Sequence, residues 1–120
     1  MNMSREDMTA RLVRAVSHPL ARVLAHPSGR VLGRRAPYEA DWEAVFKAAL
    51  AHNTAMEING SPRRQDLSDL MARRASQIGL RLSLATDAHS PADFDNMGWA
   101  VAVARRAGLS VDKILNCETM

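Results

Sequence analysis

Leu82-Ser83-Leu84-Ala85-Thr86-Asp87-Ala88-His89-Ser90 is an alternating run that stops abruptly in Asp-x-His. The alternation predicts a strand over 81–86 with one face buried. In extended backbone, residues i and i+2 share a face and lie roughly 7 Å apart. Asp87 and His89 can therefore converge on one ion at the mouth of that strand. A carboxylate beside an imidazole suits zinc, manganese or iron. A strand followed by an ordinary polar turn fits the same residues.

Upstream, two shorter runs repeat the theme. Ala21-Arg22-Val23-Leu24-Ala25 is brief enough for a buried strand, and it ends in His26-Pro27-Ser28-Gly29-Arg30. Pro27 sets the exit direction and Gly29 permits an unusual turn. Arg30 could aim a guanidinium at a phosphate. His26 can equally be a histidine at the edge of a core. Ala55-Met56-Glu57-Ile58-Asn59 is the other run. Glu57 sits between apolar residues, where a carboxylate is costly unless paired or coordinating.

Helices fill the intervals. Ser4 with Asp7 reads as a capping start for a helix over 5–17 carrying Met8, Leu12, Ala15 and Val16. His18-Pro19 ends it, because a residue before proline is pushed out of helical backbone. Asp41 can cap a helix over 41–52 with Trp42, Val45, Phe46, Ala49 and Leu50 on its stripe. Asn53 suits its left-handed end. Leu67, Leu70, Met71, Ala75 and Ile78 mark a third helix, stopped by Gly79. Phe94, Met97, Val101 and Ala104 mark a fourth, with Gly98 expected at a close contact. Ser110 is expected to cap a last short helix over 111–115. The aromatic residues Trp42, Phe46, Phe94 and Trp99 fall at helical apolar positions and are expected in the core.

Strands alternating with helices predict an α/β fold with about three parallel strands. The unusual residues gather at the carboxyl ends of those strands, where α/β folds place their chemistry. No Walker loop, dinucleotide fingerprint, nucleophile elbow or paired Cys-x-x-Cys is present.

With 120 residues, 47% of them hydrophobic, the chain suits one modest globular core. Its one cysteine, Cys117, allows no internal disulfide and fits a reducing, cytoplasmic setting. No apolar stretch reaches the length of a membrane span. The net charge of +3 comes from arginine pairs at 34–35, 63–64, 73–74 and 105–106. Such a balance is compatible with a phosphate-bearing partner. The pairs at 73–74 and 105–106 are expected to be solvated helix faces.

Taken together, His-Pro-Ser-Gly-Arg (26–30), Met-Glu-Ile-Asn-Gly (56–60), Pro62 with Arg64, Asp66 and Leu67, and Thr-Asp-Ala-His-Ser (86–90) resemble the C-terminal part of a PHP (polymerase and histidinol phosphatase) domain. Within that family the chain is most similar to the PHP domain of bacterial family X DNA polymerases. The resemblance covers nearly the whole chain. It implies a distorted β/α barrel with up to three metal ions, Mn²⁺ or Zn²⁺, at the carboxyl ends of its strands. It implies phosphoester hydrolysis, and in the family X branch a 3′-5′ exonuclease and 3′-end processing of DNA in repair. His26, Asp87 and His89 would be metal ligands and so catalytic. Glu57 would support the site from behind. Asn59, Arg30 and Arg64 would position substrate, with structural pairing as the alternative for the two arginines, Arg64 with Asp66.

The family's early His-x-His motif has no counterpart here. The resemblance therefore implies that 1–120 is the C-terminal portion of a single PHP domain, with the N-terminal half and a polymerase domain lying before Met1. Three strands cannot close a barrel of about 250 residues. An exposed sheet edge is thus expected, open to a second copy. A weakly active or inactive fragment is expected. A histidinol-phosphatase-like enzyme acting on a small phosphomonoester and a non-catalytic truncated domain are the alternatives. Gly60 and Gln65 stand where that branch usually has alanine and leucine.

Overall fold

Ser4 accepts a hydrogen bond from the Asp7 amide and starts the first helix, α1 (Arg5–Val16), as its sequence requires. The computed structural model describes residues 3–117. After α1 come β1 (Val23–Leu24), α2 (Trp42–Ala51), β2 (Ala55–Asn59), α3 (Asp69–Ile78) and β3 (Leu82–Ala85). A 3-10 helix (Pro91–Asn96) then runs into α4 (Met97–Arg106), and two single 3-10 turns (Val111–Lys113 and Leu115–Cys117) follow.

The three strands form one parallel sheet in the order β1-β2-β3, with Val23 opposite Ala55 and Glu57 opposite Ser83. β2 is central and buried along its whole length, as a parallel strand covered on both faces must be. Helices pack in sequence, α1 on α2, α2 on α3 and α3 on α4, while α4 also lies on β2 and β3. The core is Val16, Val45, Phe46, Met56, Ile58, Leu67, Leu82 and Val103. The Thr54 hydroxyl donates to the Val16 carbonyl at 2.7 Å and ties the end of α1 to the start of β2.

Local signals place the helix ends. The Asp41 carboxylate accepts from the Ala44 amide, Ser68 caps α3, and Gly79 takes the left-handed backbone (φ 120°) that ends it. The packing differs from expectation in several places. β1 is shorter than expected and sits at the sheet edge, so Val23 is exposed rather than buried. Leu70 is 73% exposed. It lies two residues before Ala72, on the far side of α3 at about 100° per residue. Phe94 and Trp99 are also exposed, not core. The stretch carrying Phe94 winds as a 3-10 helix, which breaks the phase of the α-helical stripe. α4 presents small residues instead, Ala100, Val103 and Ala104.

Gly98 touches nothing; the close approach is at Gly60, where a Cβ would collide with the Asn96 carbonyl oxygen. The Ser110 hydroxyl caps no helix and hydrogen-bonds Asp112 instead. The helix pairs at 73–74 and 105–106 do more than face solvent. Arg73 donates to the carbonyls of Arg106 and Ala107, Arg74 to Glu43, and Arg106 lies 3.6 Å from Asp69.

The sheet stays open, compatible with part of a β/α fold. The outer edge of β3 is taken by the Asn116 side chain, whose Oδ1 accepts from the Leu84 amide at 2.8 Å and whose Nδ2 donates to the Leu84 carbonyl at 3.0 Å.

Candidate metal and phosphate site

The carboxyl ends of the strands carry three loops, and their hydrogen bonds interlock. The first follows β1. His26 has a positive φ of 27°, and its amide donates to Glu57 Oε2 at 2.5 Å. Two residues on, the Ser28 amide donates to Asp66 Oδ1 at 3.1 Å. Gly29 also has positive φ, and a Cβ there would collide with the Tyr38 ring. Only glycine fits.

Arg30 turns inward. Its guanidinium donates to the Arg64 carbonyl at 2.8 Å and to the Gln65 carbonyl. Of the two roles open to Arg30, structural pairing is the one its contacts serve. Arg64 reciprocates with a longer bond, 3.4 Å, to the Arg30 carbonyl.

The second loop follows β2. Asn59 is buried, and its Oδ1 accepts from the Ser61 amide at 3.0 Å while Nδ2 lies 3.5 Å from Glu57 Oε2. The Asn59 side chain thus shapes the turn behind the site. Glu57 offsets its burial by binding the His26 amide, which fixes the His26 loop from behind. Asp66 folds back to pair with the Asn59 backbone. It is wholly buried, and its Oδ2 has no hydrogen-bond partner among the described residues. The expected Arg64–Asp66 pair does not form: Arg64 reaches Asp87 at 3.7 Å, because Asp66 points beneath the His26 loop.

The third loop follows β3. Asp87 has a positive φ of 55°. His89 Nδ1 lies 2.8 Å from the Asp87 carbonyl oxygen. A carbonyl only accepts, so Nδ1 is the donor, and in the neutral ring Nε2 then holds the lone pair. That is the arrangement a metal-ligating histidine commonly shows. The Asp93 carboxylate accepts from the amides of His89, at 3.0 Å, and Ser90, at 3.2 Å. The His89 amide first, then that of Ser90, holds the Asp93 carboxyl below its ordinary value.

Arg64, Asp87 and His89 line one pocket of about 600 Å³, together with Ser61, Arg63 and Asn96. His26, Arg30, Glu57 and Asn59 are not on its wall. Asp87 and His89 line this one pocket, and His26 does not. Among the described residues, no three His, Cys, Asp or Glu side chains form a group able to hold a metal ion. The donor types of Asp87 and His89, and the free Nε2, fit a divalent cation as two ligands of a larger set.

Sequence reasoning passed over Asp93, Asn96 and Ser61. The Ser90-Pro91-Ala92-Asp93 spacing carried a capping signal that pointed to Asp93. Asn96 carried none, because it reaches the pocket only through the close approach at Gly60.

The carboxyl edge of an open parallel sheet thus carries an acid, an imidazole and guanidinium groups, borne on His-Pro-x-Gly-Arg and Asp-x-His. The chain is similar to the C-terminal PHP part of a family X polymerase. It is 34% identical, over 113 residues, to the DNA polymerase/3′-5′ exonuclease PolX of Bacillus subtilis (strain 168), covering 94% of this chain and 18% of that protein. It is 29% identical over 87 residues to a probable phosphatase of Thermoanaerobacter sp. (strain X514), covering 68% of this chain and 36% of the relative. A probable phosphatase of Photobacterium profundum is 31% identical over 88 residues, 65% of this chain and 34% of its own length. The chain thus spans only a minor part of each of these relatives. No family model matches it. The similarities support a phosphoesterase-type PHP domain. No helix among the described residues is long and apolar enough to cross a membrane.

Proposed function

We propose that this chain carries one wall of a metal-dependent phosphoesterase site of the PHP type. In the protein that completes the site, it acts at DNA 3′ ends as a 3′-5′ exonuclease. The observation that carries this reading is the His89 ring, oriented through Nδ1 by the Asp87 carbonyl, in one pocket with Asp87. Asp87 and His89 hold a divalent ion, Mn²⁺ or Zn²⁺; His26, which the resemblance adds as a third ligand, lies off this pocket's wall and reaches the ion only when its loop shifts. A bound ion supplies Lewis acidity toward a phosphoryl oxygen and a more acidic water. Arg64, beside Asp87, orients that carboxylate and offsets charge developing on the phosphate. Glu57 and Asp66 hold the His26 loop at the sheet edge, and Asn59 and Arg30 hold the loop after β2. Further ligands come from sequence outside this chain, so by itself it binds metal weakly and turns over little.

The test is calorimetric titration of Mn²⁺ and Zn²⁺ into the chelator-stripped chain and into H26A/D87A/H89A. Saturable binding that the triple variant loses supports the site; equal binding by both refutes it. A second reading, hydrolysis of a small phosphomonoester, draws on the similarity to probable phosphatases. In a chain extended to complete the site, rates on a 3′-labelled oligonucleotide and on small monoesters separate the two.

A further inference from the structure

Away from the Asp87–His89 pocket, a cleft of about 690 Å³ separates α1 from the segment that leads into α2. Met3, Met8 and Arg11 line one wall; Arg35, Tyr38 and Glu39 line the other. Two hydrogen bonds fix the walls. The Asp41 amide donates to the Thr9 hydroxyl of α1 at 2.8 Å, and the Trp42 indole N–H donates to the Tyr38 carbonyl at 3.4 Å. The volume falls within the range of small-ligand sites, about 300–1,000 Å³. Thioether and phenol surface meets two guanidinium groups and one carboxylate. Neither Arg11 nor Arg35 is in an ion pair among the described residues. One positive charge is left over on the lining, and a single anionic group balances it. An apolar body on the same molecule covers the methionines and the ring.

Tyr38 also supports the loop after β1. Its amide donates to the Ser28 carbonyl at 2.7 Å, and its ring lies so close to Gly29 that no Cβ fits there. The Gly29 amide in turn donates to the His26 carbonyl at 3.0 Å. One residue is thus shared by the cleft and the loop. A molecule resting on Tyr38 bears on a ring that has no slack against Gly29. We infer that the cleft binds a small amphipathic monoanion, an apolar ring system bearing one acidic group, and that Tyr38 passes its occupancy to the backbone at 28–29. The loop responds only as far as the bound molecule prefers one placement of Tyr38. This coupling holds whether or not the loop carries metal.

Naphthalenesulfonate, one anion on an apolar double ring, is the probe. It is titrated into the isotope-labelled chain, with chelator present, and followed by amide NMR spectra. The amides of Met8, Arg11 and Glu39 should shift saturably, and those of Ser28 and Gly29 should shift in step with them. R11Q, an exposed change that suits a helix, should weaken binding roughly fivefold, and R11K should restore it. Naphthalenemethanol, the neutral counterpart, should bind the unaltered chain about as weakly as the sulfonate binds R11Q. If R11Q loses its helical circular dichroism, the comparison of sulfonate with alcohol on the unaltered chain reads the same charge dependence. Shifts centred on Arg63 and Asp87, or spread over exposed apolar residues such as Leu70 and Trp99, overturn the site. Equal binding of sulfonate and alcohol overturns the charge assignment. Saturation at Met8 and Arg11 with Ser28 and Gly29 unmoved overturns the coupling.

Discussion

His26, Gln65 and Asp87 all hold positive φ without being glycine, and each lies in a loop at the carboxyl edge of the sheet. Left-handed backbone costs an L-residue roughly 1–2 kcal/mol. Such strain persists where the surroundings over-determine it, which is most often at a working site. Here the surroundings are side chains far along the chain, above all Asp66 beneath Ser28. Replacing Asp66 with alanine strands the Ser28 amide and should cost about 1–3 kcal/mol in urea unfolding. Asp66→Asn keeps the acceptor, so its loss should be smaller, and Ser28 amide exchange should stay slow only in that variant. Equal losses in both would mean that the negative charge, not the hydrogen bond, supports the loop. The caps at Ser4 and Asp41 were legible because donor and acceptor lie three residues apart. The partner of Asp66 was not, because it lies 38 positions away.

At the scale of elements, β2 was legible in full, since its short, mostly apolar run and the turn after it are local patterns. β1 and the region after β3 were less so. A two-residue edge strand owes its place to β2 rather than to its own residues. The 3-10 helix at Pro91–Asn96 moved Phe94 out of the phase that α-helical spacing assigns. β3 carries its own device: Asn116 imitates a neighbouring strand with a side-chain amide. Asn116→Ala frees both the Leu84 amide and carbonyl and should cost about 1–2 kcal/mol. Exchange of the Leu84 amide should quicken roughly tenfold, in step with that loss. Unchanged exchange would show that the Leu82–Ile114 bridge protects the edge without Asn116.

Over the whole molecule, the apolar core closes around Phe46, Met56, Ile58 and Leu82 without help from the site at the sheet edge. A weakly bound ion adds only RT ln(1 + [L]/Kd), about 0.4 kcal/mol when its concentration equals its Kd. Removing metal with EDTA should therefore shift the melting midpoint by less than about 3 °C. A larger drop would show that a metal holds part of the core together.

The sequence by itself determined the alternation of strands and helices, most helix ends, and the motifs that mark the PHP resemblance. These depend on contacts within a few residues, where spacing and side-chain chemistry are sufficient. Only the tertiary structure decided that Arg30 clasps carbonyls, that Arg64 meets Asp87 and that Asn116 seals β3. Those pairings join residues far apart along the chain, and many partners of equal chemistry compete for them. Packing of the loops at one sheet edge selects among those partners.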